Sequence, residues 1–176
     1  MGSLPKYPGL PSYPETEEKV KHYPFEFLQA TTSLKEATLS ADPYPIKGWI
    51  AYGSNLIKTL PNPKETIEAI QKLEMFAVVD VLPSDTIAYA DVVLPECTYF
   101  ERYDDLKLGF FKSFEVSLRV PAVEPMFESK PSWWITKELG KRLGLEAYFP
   151  WQDFEGYLKT RCDLAGIPFE ELKTIV

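Results

Sequence analysis

The segment MFAVVDVLPSDTIAYADVVLPE, residues 75–96, constrains this chain more than any other stretch. It opens on an apolar run, Met75-Phe76-Ala77-Val78-Val79, that stops on a carboxylate, Asp80. A second run, Val92-Val93-Leu94, is closed by Pro95. Runs this short, β-branched and free of polar residues read as strands buried on both faces of a parallel sheet. Ser84, between them, stands where it would cap a turn of helix running through Ala90. Strand, short helix and strand make a βαβ unit, and ligands of such sheets sit outside the carboxyl ends of the strands. Asp80 is at such an end. It has two readings: an acid capping the next turn, or a carboxylate accepting hydrogen bonds from a nucleotide's ribose or base.

Upstream, Pro45 introduces Ile46-Lys47-Gly48-Trp49-Ile50-Ala51-Tyr52, a further strand ending in Gly53-Ser54-Asn55-Leu56. Glycine there allows a positive φ and close approach of a ligand to the main chain. Asn55 offers both a donor and an acceptor. By itself G-x-N after a strand reads first as an ordinary turn, but here it precedes Asp80 by one βαβ unit, which would put both on one sheet edge. Asn62-Pro63-Lys64-Glu65 reads as a helix start, with Asn at the N-cap, Pro at N1 and Glu at N3. Ile67, Ile70 and Leu73 follow at helical spacing as a core face.

Downstream, residues 101–107 are heavily charged and form either a solvated face or a patch pairing with another part of a larger protein. Phe110 to Val120 mixes aromatic and β-branched residues and predicts an edge strand or hairpin arm. Pro121, Pro125 and Pro131 then break the chain. Ser132 starts a helix through Leu143, ended by Gly144, with Trp134, Ile135, Leu139 and Leu143 expected inward. A second helix spans Gln152 to Leu164, with Phe154, Tyr157, Leu158 and Leu164 inward, and a short one begins at Pro168. The fold class expected is α/β: a Rossmann-like, mostly parallel sheet flanked by helices over residues 45–176. Residues 1–44 form a Pro-rich extended arm, with a weak helical pattern from Phe25 to Ala41.

A chain of 176 residues with 45% hydrophobic and 14% aromatic content has enough apolar surface to bury a core. The net charge of -7 excludes the clustered basic footprint of nucleic-acid binding. No apolar run approaches the roughly 20 residues a spanning helix needs, and no signal peptide is legible. Cys97 and Cys162, the only cysteines, have no metal-ligand spacing; two separate buried thiols are expected over a disulfide. His22, the only histidine, reads as solvated.

The words VVD-x-x-x-S-x-T-x-x-x-ADVVLPE-x-T-x-x-E, carried by Asp80, Ser84, Thr86, Ala90 to Pro95 and Glu101, resemble the large catalytic subunits of the molybdopterin (dimethyl-sulfoxide-reductase type) oxidoreductases. Glu101-Arg102-Tyr103-Asp104-Asp105 is most similar to the polysulfide/thiosulfate reductase branch. The resemblance covers about residues 45–176 and implies that the Gly53–Asn55 turn meets the guanosine-diphosphate part of a molybdopterin guanine dinucleotide carrying molybdenum or tungsten. Leu56 stands where the family more often has proline. Gly53, Ser54, Asn55, Asp80 and Ser84 would then line one end of the cofactor site, with Thr86 nearby. Asp80 would accept hydrogen bonds from guanine or ribose, and Ser84 would add a hydroxyl.

The family's cysteine cluster for an iron–sulfur centre has no counterpart here, nor has its metal-binding side chain. No catalytic residue and no metal ligand is therefore assigned, Cys97 included. The resemblance implies one cofactor-binding piece of a reductase that acts with the remainder of its catalytic subunit. It also implies an iron–sulfur electron-transfer subunit, a membrane anchor, and a parent enzyme in the periplasm or at a membrane. The residues alone leave two rivals: a stand-alone nucleotide-binding module, and a structural domain in which Asn55 and Asp80 merely cap turns.

Overall fold

The computed structural model describes residues 4–10, 31–42, 44–110 and 114–174. His22 and the expected helical pattern before Thr31 lie outside them. The chain divides into two compact units, Pro14–Glu96 and Met1–Tyr13 with Cys97–Val176.

The first unit holds three parallel strands in the order β1-β2-β3: β1 (Gly48–Tyr52), β2 (Met75–Asp80) and β3 (Val92–Pro95). The register pairs Ile50 with Ala77 and Ala77 with Val92; one residue pair further along the same face, Tyr52 pairs with Val79 and Val79 with Leu94. Helix α1 (Thr31–Ser40) precedes the sheet, and helices α2 (Leu56–Thr59) and α3 (Pro63–Gln71) link β1 to β2. A 3-10 turn, Asp85–Tyr89, links β2 to β3. The fold is thus α/β, a parallel sheet flanked by helices.

Its core is built on one sheet face: Trp49, Ala51, Phe76 and Val78 pack with Leu56, Ile57, Leu60, Ala69 and Ile70. Burying a side chain of this size contributes on the order of 1.5–3 kcal/mol. Only the central strand fits the expectation of burial on both faces, with Phe76 to Val79 all inside. Strand β1 alternates, with Ile50 and Tyr52 exposed, and Val92 and Val93 of β3 are exposed too. The reason is positional: β1 and β3 are the outer strands among the described residues, and the core helices serve a single face.

Two polar contacts fix this unit. Lys35 of α1, with its side chain buried, donates to Glu65 Oε2 (2.9 Å) and Pro61 O (3.0 Å) at the start of α3. At the amino edge of the sheet, Phe76 N–H donates to Asp91 Oδ2 (2.7 Å) and Asp91 N–H to Phe76 O (2.8 Å). The helix start at Asn62-Pro63 differs in detail from expectation. Asn62 occupies the N-cap position with φ 56°, but its side chain makes no capping bond.

The second unit holds an antiparallel hairpin of β4 (Lys107–Phe110) and β5 (Phe114–Ser117), then helices α4 (Ser132–Arg142), α5 (Phe154–Ala165) and α6 (Phe169–Thr174). Leu106, Leu158, Cys162 and Phe169 make its core. Asp153 caps α5 by accepting from Gly156 N–H (2.7 Å). Residues of the N-terminal segment pack here: Tyr7 stacks on Tyr157 at 5.4 Å, and Pro5 O accepts from Arg161 Nε (2.8 Å). Both cysteines are free and buried, as expected.

Three residues expected inward in α4 and α5 are not. Trp134, Leu143 and Leu164 are exposed, while Ile135 and Gly140 of α4 and Leu158, Arg161 and Cys162 of α5 are buried. In α4 the close-packed position is Gly140, where a Cβ would lie 2.4 Å from the Phe149 ring. The helix presents its slimmest residue to that aromatic, while Ile135 is buried and Leu139 half-buried.

Candidate functional site

The carboxyl rim of the parallel sheet is formed by the ends of β1 and β2 and the turns that follow them. Gly53 extends the β1 ladder by one bond, donating its N–H to Val79 O (2.8 Å), and then turns with φ 56°. A Cβ at Gly53 would meet nothing within 4 Å, so its backbone is open to an incoming group. Left-handed φ at this turn is the conformation glycine supplies without strain.

Asn55 begins α2. Its carbonyl accepts from Lys58 N–H (3.0 Å), Thr59 N–H (2.9 Å) and Thr59 Oγ1 (2.9 Å). Its side-chain amide is held at both ends: Thr86 Oγ1 donates to Oδ1 (3.1 Å), and Nδ2 donates to Asp85 Oδ2 (3.0 Å). Thr86 is fully buried and also accepts from Ile57 N–H (3.4 Å). That bracket sets which end of the amide is which, and it leaves the second Nδ2 proton to donate elsewhere. The Asn55 bond, and after it the nearby Lys58 ammonium, hold the Asp85 carboxyl below the usual carboxylate range.

Asp80 ends β2 half-buried, with Oδ1 accepting from Val81 N–H (2.8 Å). Ser84 stands at the N-cap of the 3-10 turn, yet its side chain makes no capping bond. Its hydroxyl is buried and has no hydrogen-bond partner among the described residues. A buried unsatisfied hydroxyl costs about 1–3 kcal/mol, which native proteins rarely carry without a reason.

Of the six residues singled out by sequence, Asn55 and Thr86 touch directly, and Gly53 is bonded to the neighbour of Asp80. Ser54 lines a groove of about 340 Å³ with Leu34, Trp49 and Leu56, which neither Asp80 nor Ser84 lines. Sequence reasoning missed Asp85, although an acid beside the Ser84–Thr86 pair was in plain view. It also missed Tyr52 and Glu96, which hydrogen-bond across the end of β2, Tyr52 OH donating to Glu96 Oε1. Only the strand order reveals that partnership.

The branch-like words after Glu101 belong to the second unit and serve its own loops. Glu101 is buried and accepts from Thr98 N–H and Met126 N–H, each at 2.7 Å. Those backbone donors, Met126 first, hold its carboxyl below the usual range. Asp104 pairs with Arg102 (2.9 Å) and with Arg119, and Asp105 pairs with Arg161. The charged run is therefore neither a wholly solvated face nor unpartnered: Asp104 and Asp105 find cations, and Glu101 backbone N–H donors, within the unit.

Chemically, the rim offers directed donors and acceptors and an open backbone, suited to binding a polar ligand. Among the described residues, no group of three or more His, Cys, Asp or Glu could hold a metal ion. Cys97 lies against Ser129 Oγ (3.7 Å) in the second unit. No helix among them is long and apolar enough to cross a membrane.

Comparisons with known proteins bear on the family and the fold. A family model described as molybdopterin oxidoreductase matches residues 11–142, reaching further toward the N-terminus than the motif words do. The thiosulfate reductase molybdopterin-containing subunit PhsA of Salmonella typhimurium is 40% identical over 125 residues, covering 70% of this chain and 16% of that protein. Acetylene hydratase of Syntrophotalea acetylenica is 28% identical over 176 residues, covering 94% of this chain and 23% of the relative. The solved structure of acetylene hydratase from Pelobacter acetylenicus superposes with a TM-score of 0.69 over 81% of this chain and 20% of its own, at 28% identity. The chain thus spans less than a quarter of the length of these relatives.

Proposed function

Since this chain belongs to the molybdopterin oxidoreductase family, we propose that its sheet rim binds the guanosine end of a molybdopterin guanine dinucleotide. It would do so as one part of a larger catalytic polypeptide akin to a thiosulfate or polysulfide reductase. The observation that carries this reading is the buried, unpartnered Ser84 hydroxyl beside the bracketed amide of Asn55. An orphaned polar atom and a pre-oriented donor on one strand rim are what a site for a polar ligand supplies before the ligand arrives.

The residues fit such a group. Gly53 admits the nucleotide close to the backbone, Asn55 donates its free amide proton, and Ser84 gains the hydrogen bond it lacks. Asp80 retains an oxygen not engaged by Val81 and is suited to accept from ribose hydroxyls or a guanine N–H. Thr86 and Asp85 act through Asn55 as positioning residues. When bound, the cofactor supplies the two-electron chemistry at its metal, and the protein's part is binding and orientation. No residue of this chain is assigned to the metal, and the electron partners belong to the remainder of the enzyme.

One observation favours the structural alternative: Asn55 and Asp80 already hold their own turns. Titration calorimetry with GDP separates the two. The folded chain is expected to bind GDP weakly, because most of the cofactor's envelope lies in the rest of the enzyme, and Asp80→Ala is expected to abolish the heat. No heat from the folded wild-type chain, or equal heat from Asp80→Ala, refutes the nucleotide-end reading.

A further inference from the structure

Leu4–Leu10 belongs to the second unit, although the whole first unit intervenes in sequence before Cys97. Among the described residues this segment joins no strand and makes no main-chain-to-main-chain hydrogen bond. Side chains of the second unit hold it instead. The Tyr7 ring stacks on Tyr157 (5.4 Å, 11°) and meets Trp151 edge-on (5.3 Å, 62°). Arg161 Nε donates to Pro5 O (2.8 Å), and Leu4 packs on the core of Leu106, Leu158, Cys162 and Phe169. Lys6, Pro8 and Gly9 are exposed, so the contacts are concentrated on Leu4, Pro5 and Tyr7.

The receiving surface is fixed by contacts of its own. Arg161, 8% exposed, sends Nη1 to the Asp105 carboxylate and to Tyr157 OH (3.1 Å). Tyr157 also stacks on Phe154 (5.0 Å, 13°). Lys137 Nζ donates to Trp151 O and to Gln152 O (2.9 Å), and Phe149 meets the Trp151 ring edge-on at 5.6 Å. Trp151, Tyr157 and Arg161 thus each have partners other than the segment that touches them. A site oriented in this way is built before its occupant arrives.

Proline fixes φ, which reduces the freedom lost on docking, and extended proline-containing peptides are bound in aromatic-lined grooves. We propose that Trp151, Tyr157 and Arg161 form a recognition groove for an extended Leu-Pro-x-Tyr peptide, filled in cis by Leu4–Leu10. Tyr7 is the anchor, held by its ring, and Pro5 is read through its carbonyl. The docked segment is a strap. It joins the first unit to the second at both ends of that unit's sequence, once through the covalent step Glu96–Cys97 and once noncovalently ahead of Pro14. None of this depends on the nucleotide-end reading.

The test uses the 176-residue chain and a dye-labelled peptide of residues 4–10, with binding read by fluorescence anisotropy. In wild type the tethered segment occupies the groove and competes with the peptide. Tyr7→Ser empties it, so the peptide is expected to bind that chain at least about ten-fold more tightly than wild type. Carrying Tyr7→Phe, the peptide should bind within about two-fold, because the ring makes the contacts; carrying Tyr7→Ser, it should not bind. In NMR the Arg161 Nε–H should lose its protection from exchange in the Tyr7→Ser chain and regain it when peptide is added. The Leu158 and Cys162 amides should exchange at the wild-type rate throughout. Their acceleration in Tyr7→Ser would make the segment part of the core and overturn the proposal. So would equal peptide binding by wild type and Tyr7→Ser, binding by neither, undiminished binding of the Tyr7→Ser peptide, or an Arg161 signal that does not respond.

Discussion

Replacing Ser84 by alanine is expected to make the protein more stable, against the usual rule for a serine at a helix start. A serine at an N-cap ordinarily contributes about 0.5–2 kcal/mol by accepting from the first free N–H groups. Here that bond is absent, and the hydroxyl is buried without a partner among the described residues. Its desolvation instead costs about 1–3 kcal/mol. Alanine removes the penalty and leaves a gap of a single atom, whose lost packing offsets part of the gain. A net stabilisation of about 1 kcal/mol remains. Amide hydrogen exchange at Val78 and Val79, both buried in β2, reads the opening of this unit directly, and 1 kcal/mol slows it about five-fold. The same substitution is expected to weaken GDP binding by about 2- to 13-fold, the worth of one neutral hydrogen bond of about 0.5–1.5 kcal/mol. Exchange that speeds up in Ser84→Ala would mean the hydroxyl serves the fold, and the reasoning from an orphaned polar atom would be refuted.

Thr86→Val keeps the shape of a fully buried side chain but strands Asn55 Oδ1 and Ile57 N–H. A loss of about 2–3 kcal/mol is expected in urea unfolding of this unit, and a change below 0.5 kcal/mol would count against the bracket. Gly140→Ala should destabilise by about 1–3 kcal/mol despite alanine's better helix propensity, because its Cβ would stand 2.4 Å from the Phe149 ring. Thermal melts should show the loss, with recovery when Phe149→Leu is added; a stabilised Gly140→Ala would contradict the packing. Glu101, whose folded carboxyl titrates below its unfolded value, contributes stability that is present above the ordinary carboxylate range. That contribution is lost as pH falls through the folded value. Acid titration of unfolding should therefore be shallower in Glu101→Gln, and identical slopes would remove Glu101 from the linkage.

Local order was largely legible from the chain itself. The apolar runs at Met75–Val79 and Val92–Leu94, the glycine turn at Gly53 and the proline at helix position N1 act over a few residues, so nearby letters specify them. The motif words from Asp80 to Glu101 were enough to identify the family.

What only the folded chain decided were the partnerships between distant residues. Asn55 meets Thr86 across 31 positions, Glu101 meets Met126 across 25, and Tyr52 meets Glu96 across 44. Asp91, one of the residues that carry the family resemblance, ties the amino edge of β2. Helical period marked α4 and α5 and their main inward residues, but misplaced Trp134, Leu143 and Leu164, which the fold leaves exposed. Propensity and periodicity are short-range quantities, whereas the choice of hydrogen-bond partner and of buried face is made by whatever the fold brings alongside.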